Sequence, residues 1–290
     1  MTRKRTPPEG IPGIVRDLSR LADIYWDQAC FPKTFEEAAR SWLDAVVQFT
    51  VEYSYAREGA SPRYPGLAEK AIRDVCDPDS VPSRRLARKA WHAFVSYCEG
   101  VGILPNHKAN VLSVQEGKMV PVLQFVTDLG DQECNMLLWA KESLEEGRAE
   151  EATDRLRTIR GVDWKIAAFY LRDVCDWAGL EEQRCGPEWC FQPVDRWIRR
   201  AAQAFGKRLG RQIDSYDDAA DLLVELSEEA GVRGGRLNAG IWILGSELLE
   251  SGEQMRDALT SREALRSHLA DNLAWCRVYT GVLSAMLRPS

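Results

Sequence analysis

The sequence predicts an all-α fold. Apolar side chains recur at the spacing of one helical face along most of the chain, as in Ala219, Leu222 and Leu226. Strict alternation of apolar and polar residues, which is typical of a half-buried strand, is nearly absent. Stretches containing proline or glycine divide the pattern into segments of helical length. The length of 290 residues permits one large domain or two of about 150 residues each.

Caps and apolar stripes define the helices in order along the chain. Thr34 followed by Glu37 has the spacing of a capping box, and Leu43, Val46 and Val47 then fall on one face. The predicted helices cover residues 14–29, 34–58, 66–76, 83–98, 131–147, 149–159, 164–178, 217–230, 236–251 and 262–287, with a further apolar stripe from Trp197 to Phe205.

Composition excludes several classes of protein. A content of 45% hydrophobic and 28% charged residues is too apolar for a chain that is mainly disordered. No uncharged apolar run approaches the roughly 20 residues that span a bilayer, so no membrane partner is expected. The basic start of the chain is not followed by an apolar region, so we expect no secretory signal and a cytoplasmic location.

Metal sites are not expected either. The eight cysteines are dispersed without a Cys-x-x-Cys pair, and the three histidines are far apart in the sequence. Cys185 and Cys190 are the closest pair of cysteines, and a four-ligand site there would need two more nearby. Reduced thiols are the expected state of these side chains.

Charge is distributed unevenly along this acidic chain. The net charge is −6, yet residues 155–211 carry 12 basic and 7 acidic side chains, a net charge of +5. A local basic face can hold a phosphate backbone even on an acidic protein. A solvated helix surface would have the same composition, so charge leaves both interpretations open.

The most specific motif runs from Leu156 to Ala168. A predicted helix ends, a tight turn contains Gly161, and a second helix starts directly after Asp163. Glycine tolerates a positive φ, and aspartate tolerates the left-handed region better than most residues. The start of the second helix exposes unpaired N–H groups that can bind a phosphate oxygen, and Lys165 lies in its first turn.

A second element, Pro193-Val194-Asp195, places an aspartate thirty residues after that lysine. Asp195 precedes a predicted helix, where the positive end of the helix dipole favours a carboxylate. Capping the helix is the simplest role for it. Arg196, Arg199 and Arg200 follow within two turns and form either a solvated ridge or a set of phosphate contacts.

Together the two elements resemble the helix-hairpin-helix superfamily of base-excision DNA glycosylases. Its hairpin usually reads Leu-Pro-Gly-Val-Gly-x-Lys-x-Ala, and a later Val-Asp supplies the catalytic carboxylate. The match covers residues 156–206, and its matching positions are Gly161, Val162, Lys165, Ala167, Val194 and Asp195. The long spacer before Asp195 is similar to that of the archaeal 8-oxoguanine glycosylases.

Several positions depart from the family pattern. Arg160 stands where the family has proline, and Asp163 stands where the family has the second glycine. These differences imply that the hairpin would bind phosphate less tightly or with a different geometry. Asn238 and Trp242 have the spacing of a base-pocket pair, but the family has an acid at the first position. No four-cysteine run follows the second element, so no iron–sulfur cluster is expected.

The resemblance implies two helical subdomains that flank a cleft. Residues 1–33 would pack on the helical core, 34–160 would form a six-helix-type subdomain leading into the hairpin, 156–212 would form the hairpin and catalytic segment, and 213–290 would complete the second subdomain. The C-terminal helices would return to pack on the N-terminal ones. It also implies a monomer that acts on duplex DNA containing a damaged or modified base, without a cofactor, and it allows a monovalent cation at the hairpin.

The expected activity is base excision with strand cleavage. Loss of the base develops positive charge on the sugar, which the Asp195 carboxylate would stabilise. Lys165, if deprotonated, would attack C1′ and form a Schiff base. The base must leave the duplex, so the site needs a pocket. DNA contacts are expected at Gly161, Arg160, Asp163, Arg196, Arg199 and Arg200, and base contacts at Asn238, Trp242 and Gln48.

Alternatives remain at this point. The substrate could be an oxidised purine such as 8-oxoguanine or another modified base, including a hypermodified base of phage DNA. The chain could also be a helix-hairpin-helix module that binds DNA without catalysis. A third alternative is a helical scaffold that binds a protein through the acidic stretch from Asp214 to Glu229.

Overall fold

The computed structural model describes residues 10–25, 34–55, 61–130 and 134–271. Within these ranges the chain is mostly helical and has no strand, which confirms the predicted all-α class; extended pairing there is limited to one parallel bridge between Val120 and Ile159. The α-helices of these ranges are α1 (Ile11–Tyr25), α2 (Phe35–Ala38), α3 (Trp42–Gln48), α4 (Tyr64–Val75), α5 (Arg84–Gly100), α6 (Val122–Thr127), α7 (Met136–Glu145), α8 (Ala149–Leu156), α9 (Trp164–Trp177), α10 (Glu182–Cys185), α11 (Arg196–Leu209), α12 (Tyr216–Ala230), α13 (Gly234–Ile243), α14 (Gly252–Ala258) and α15 (Arg262–Asp271).

The chain forms two compact units. We call Lys33–Cys190 the continuous unit, and Met1–Pro32 together with Phe191–Ser290 the discontinuous unit. The continuous unit contains α2 to α10, and the discontinuous unit contains α1 and α11 to α15. The expected segment 156–212 is therefore divided between the units, because α9 packs on α7 and α8 whereas α11 packs on α12, α13 and α14.

An aromatic and charged cluster anchors α9 in the continuous unit. The ring of Tyr170 meets that of Phe49 edge-on at 5.0 Å and that of Tyr53 at 5.2 Å. The Tyr53 hydroxyl donates to Asp173 Oδ2 at 3.1 Å, and Arg172 donates to Asp173 Oδ1 from the other side. Burial raises the pKa of Asp173, and the guanidinium of Arg172 opposes that shift. These contacts fix the helix that carries Lys165.

In the discontinuous unit, α1 packs closely on α13. A Cβ atom at Gly240 would overlap the carbonyl oxygen of Leu18, so the two backbones approach more closely than a side chain would permit. Asp17, which is buried, accepts hydrogen bonds from Arg262 at 2.6 and 2.9 Å. The C-terminal helices therefore pack against the N-terminal helix, as expected from the sequence.

One predicted helix, residues 34–58, is divided in the structure. Thr34 and Glu37 form the expected capping box, but α2 ends at Ala38, because the Ser41 side chain accepts from Asp44 N at 3.3 Å and caps a new helix. After α3 the chain widens into a π-helical turn over Phe49–Ser54. The predicted helix 262–287 is observed as α15, and its remainder from residue 272 lies outside the described residues.

Candidate functional site

The turn between α8 and α9 requires glycine. Gly161 has a φ of +79°, and a Cβ atom there would overlap the carbonyl oxygen of Ala109. The turn is held by backbone hydrogen bonds with Val120, whose N–H donates to Thr158 O at 2.9 Å and whose carbonyl accepts from Arg160 N at 2.8 Å. Positive φ and close backbone approach together explain why glycine stands at this position.

Asp163 caps α9. Its Oδ1 accepts a hydrogen bond from Ile166 N at 3.0 Å, and its side chain is exposed. The backbone N–H groups of Trp164 and Lys165 have no hydrogen-bond partner within the described ranges. The positive end of the helix dipole, where a phosphate would be favourable, is thus already occupied by a carboxylate of the protein.

Lys165 lies in the first turn of α9 and is half-buried. Its amino group forms no ion pair or hydrogen bond in the described part of the chain. Its neighbour Trp164 stacks on Trp189 with ring centroids 6.2 Å apart and an interplanar angle of 25°. Both tryptophans are half-buried. Lys165 therefore follows directly after one member of a partly accessible aromatic pair.

Arg160 faces inwards. Only 9% of this residue is exposed, and its guanidinium Nη2 donates to the carbonyls of Gln115 at 2.6 Å and Met119 at 3.4 Å. Arg160 thus holds the backbone of the Gln115–Met119 loop, and the DNA contact expected of it stays a prediction. The loop that it holds precedes Val120, the residue that pairs with the hairpin turn.

Asp195 caps α11 in the discontinuous unit. Its Oδ1 accepts hydrogen bonds from Trp197 N at 2.8 Å and from Ile198 N at 2.9 Å. The residue is half-buried, and its Oδ2 has no partner among the described residues. One carboxylate oxygen thus fixes the side chain's orientation while the other stays available to a ligand.

Comparison of the chain with protein-family models, with curated proteins and with solved structures found no match. The assignment of chemistry therefore depends on the geometry of these residues.

Asn238, the first residue of the predicted base-pocket pair, is buried. Its Nδ2 donates to Gln192 Oε1 at 3.1 Å and to Pro193 O at 3.3 Å. The amide thereby anchors the segment that leads into Asp195, and it acts as a support for that side chain. Trp242, one turn further along α13, is half-buried.

Gln192 is the supporting residue that the sequence did not reveal. It is fully buried, and its Nε2 has no hydrogen-bond partner among the residues that the structure describes. A polar residue before Pro193 in a loop would ordinarily be interpreted as exposed. Its distance of 46 residues from Asn238 gave no local signal of their contact.

The three arginines of α11 have different surroundings. The guanidinium groups of Arg196 and Arg200 lie 5.3 and 4.8 Å from the centre of the Trp197 ring. Arg199 donates to Asp214 O at 3.0 Å. Arg196 is exposed and the other two are half-buried, so Arg196 is the most accessible of them to a phosphate.

The candidate residues are distributed between the two units. The continuous unit contains Gln48, Arg160, Gly161, Asp163 and Lys165, and the discontinuous unit contains Asp195, the three arginines, Asn238 and Trp242. Gln48 is the half-buried last residue of α3 and has no side-chain hydrogen bond within the described ranges. In those ranges no group of His, Cys, Asp and Glu could hold a metal ion, and no helix has the length and apolar character to cross a bilayer.

Proposed function

We propose that this protein is a DNA glycosylase that excises a damaged or modified base, with lyase activity through Lys165. The observation that carries the proposal is the geometry of Asp195. Two backbone N–H groups hold its Oδ1 in place, and its Oδ2 is unengaged in the described structure. A carboxylate fixed in this way can stabilise the positive charge that develops on a deoxyribose when the base leaves.

Lys165 supplies the nucleophile. In its neutral form the amine attacks C1′, the glycosidic bond breaks, and the bonding electron pair leaves with the base, which takes up a proton. Opening of the sugar then gives an imine between C1′ and the lysine nitrogen. Removal of a C2′ proton expels the 3′ phosphate and cleaves the strand. An amine without an ion-pair partner is available for this reaction, because no carboxylate has to be displaced.

The proposed substrate is an oxidised purine such as 8-oxoguanine. Trp164 and Trp189 are half-buried and their rings stack at the start of the helix that carries Lys165, which offers aromatic side chains on which an extruded base could stack. Asn238 is buried and hydrogen-bonded to the segment before Asp195, so the base contact predicted for it does not carry the choice of substrate. A different modified base, including a hypermodified base of phage DNA, is therefore the alternative within the same reaction.

The test is a panel of duplexes that carry different base lesions, with and without alkaline treatment. We expect base release from at least one duplex, strand cleavage without alkali, and a covalent complex when borohydride is added. Asp195→Asn should abolish base release, whereas Lys165→Gln should abolish the covalent complex and the strand cleavage.

Asp163→Asn is the matched control. Both aspartates are N-caps, and asparagine is an equally good cap, so each variant keeps its helix start and loses one charge. Only the change at Asp195 should stop base release. Equal base release by the two variants, on a duplex that the wild-type protein cleaves, would show that Asp195 has no part in the mechanism.

A DNA-binding module without catalysis is the second candidate. The observation that favours it is the capping role of Asp195, which by itself accounts for an aspartate at this position. This candidate predicts salt-dependent duplex binding that persists in Asp195→Asn, and no abasic product from any duplex of the panel.

A further inference from the structure

One exposed face of α5 carries four basic side chains within six residues. Arg84, Arg85, Arg88 and Lys89 are all exposed, and His92 follows on the same side of the helix. We call the four side chains the α5 cationic face. Within the described ranges, none of the four forms an ion pair or a side-chain hydrogen bond.

This absence of partners contrasts with the other helices of the continuous unit. There, six cations on or beside a helix pair with an acid on the same helix or beside it. These pairs are Lys70–Asp74 at 2.6 Å, Arg73–Glu69 at 2.9 Å, Lys141–Glu145 at 2.8 Å, Arg157–Asp154 at 3.0 Å, Arg184–Glu181 at 2.8 Å, and Arg148 with Glu146. The α5 cationic face differs from these positions because, in the part of the chain that the structure describes, four neighbouring cations on one helix all lack such a partner.

Among the described residues, no acidic side chain pairs with the charges of this face. Ser83 caps α5 and the first turn contains no acid, although Arg84 and Arg85 lie at the helix end where the dipole disfavours cations. Arg84 and Arg88, and likewise Arg85 and Lys89, are four residues apart and repel each other. The arrangement therefore opposes helix stability, which points to an external anion as its counterpart.

We propose that the α5 cationic face binds the phosphate backbone of duplex DNA, as a contact additional to the α8–α9 turn. The face extends over about 7.5 Å of helix axis, a length in which a duplex presents about four phosphate charges. The apolar side of α5, including Ala87, Trp91 and Phe94, is buried in the protein. No apolar face is left to enter a membrane, which favours a phosphate backbone over a lipid surface. The choice of DNA as the polyanion rests on the proposed function.

The experiment measures binding of an unmodified 30-base-pair duplex as a function of salt. The variant replaces Arg84, Arg85, Arg88 and Lys89 by glutamine in the full-length protein. If two to four phosphate contacts are lost, the slope of log affinity against log salt should decrease by about 2 to 4, and affinity at 100 mM salt should fall at least about tenfold. The melting temperature should stay the same or rise, because the repulsion within α5 is removed.

A matched control removes the same amount of charge from paired positions. Lys70→Gln, Arg73→Gln, Lys141→Gln and Arg148→Gln together should leave the salt slope unchanged, because these side chains already have acidic partners. Equal losses in both quadruple variants, or no binding of the duplex by the wild-type protein at 50 mM salt, would overturn the proposal. So would a variant that loses binding to anionic vesicles but retains it for the duplex.

The two proposals fail separately. Binding of an unmodified duplex requires no chemistry, so loss of binding in the α5 variant would stand even if no lesion were excised. Conversely, base release by the α5 variant at saturating protein tests Asp195 and Lys165 independently of this face.

Discussion

Asp163 and Asp195 are chemically identical caps, yet their surroundings suit different tasks. Asp163 is exposed at the turn between α8 and α9, whereas Asp195 is half-buried behind a proline-containing segment that Asn238 holds. The sequence predicted the capping role of Asp195, whereas for Asp163 it emphasised tolerance of the left-handed region; the structure has Asp163 in an extended conformation with φ of −95°, where it caps α9. The sequence could not predict that Asn238 and Gln192 support Asp195, because that contact joins residues 46 positions apart.

The negative charge of Asp163 should weaken the proposed binding of DNA at the turn between α8 and α9. Asp163→Asn keeps the cap and removes a negative charge from the helix end, so duplex affinity should rise about two- to fivefold, as expected for one charge at a helix terminus. Fluorescence anisotropy with an unmodified duplex measures this change. Asp163→Ala, which also loses the cap, should destabilise the protein by about 1 kcal/mol. Unchanged or weaker binding by the asparagine variant would contradict the prediction.

Two buried thiols should make stability depend on alkaline pH. Burial raises the pKa of Cys76 to about 11 and that of Cys190 to about 12, from an ordinary value of 9.0. At alkaline pH the folded state therefore keeps thiol protons that the unfolded state loses. The contribution of the two thiols to the free energy of unfolding is complete below pH 9 and declines as pH rises towards 12. The decline should be at most about 1.4 kcal/mol per pH unit for each thiol.

Urea unfolding at several alkaline pH values measures this decline. The same side chains should resist alkylation by iodoacetamide at pH 8 in the folded protein and react after unfolding. Rapid modification of Cys190 in the folded state would show that its thiol is not shielded as described.

Helix boundaries could be predicted from the sequence where a capping residue sets them. They could not be predicted where tertiary packing sets them. The apolar pattern of residues 34–58 is continuous, yet Ser41 interrupts it and the chain then widens into the Phe49–Ser54 turn. That turn places Phe49 and Tyr53 against Tyr170, a tertiary contact that periodicity does not reveal. The short helix α6 lacked a periodic pattern long enough to be recognised.

The hairpin turn should tolerate no side chain at Gly161. Gly161→Ala combines an unfavourable positive φ with overlap on Ala109, whereas Gly179→Ala shares the positive φ, +68°, but meets nothing within 4 Å. The control should cost about 1–2 kcal/mol, and Gly161→Ala should exceed it by about 1–3 kcal/mol from overpacking. Chemical denaturation of both variants measures the difference. Equal losses would mean that the close approach to Ala109 is not a constraint.

At the scale of the whole molecule, the sequence predicted the all-α class and the return of the C-terminal helices to the N-terminal one. It did not predict the unit boundary, which falls between Cys190 and Phe191 within the expected catalytic segment. Proline and glycine stretches indicate where helices end along the sequence. The boundary between the two units depends instead on which helices share a hydrophobic core.

The two units should differ in their ability to fold alone. A fragment of residues 33–190 contains its whole core and should unfold cooperatively. A fragment of residues 191–290 lacks α1, whose Ile11, Ile14, Val15, Leu18 and Leu21 are fully buried. At about 1.5–3 kcal/mol for each side chain, this loss is comparable with the typical stability of a domain, about 5–15 kcal/mol. Circular dichroism of the fragment, before and after adding a peptide of residues 1–32, measures both effects.

The peptide of residues 1–32 should restore helical signal and a cooperative transition to the C-terminal fragment. A peptide with Leu18→Asp is the control, because it places a charge at a fully buried position of α1 and should not complement. A C-terminal fragment that folds fully without any peptide would contradict the role given to α1.

The packing of α1 on α13 also sets a delay during synthesis. The ribosome releases α1 about 220 residues before α13, which at roughly 5–20 residues per second corresponds to a wait on the order of ten to forty seconds. For most of that interval, the apolar side chains of α1 have no native partner in the nascent chain. Occupancy of α1 by a chaperone on stalled nascent chains, lost once α13 has emerged, is the cellular consequence of building one unit from both ends of the polypeptide.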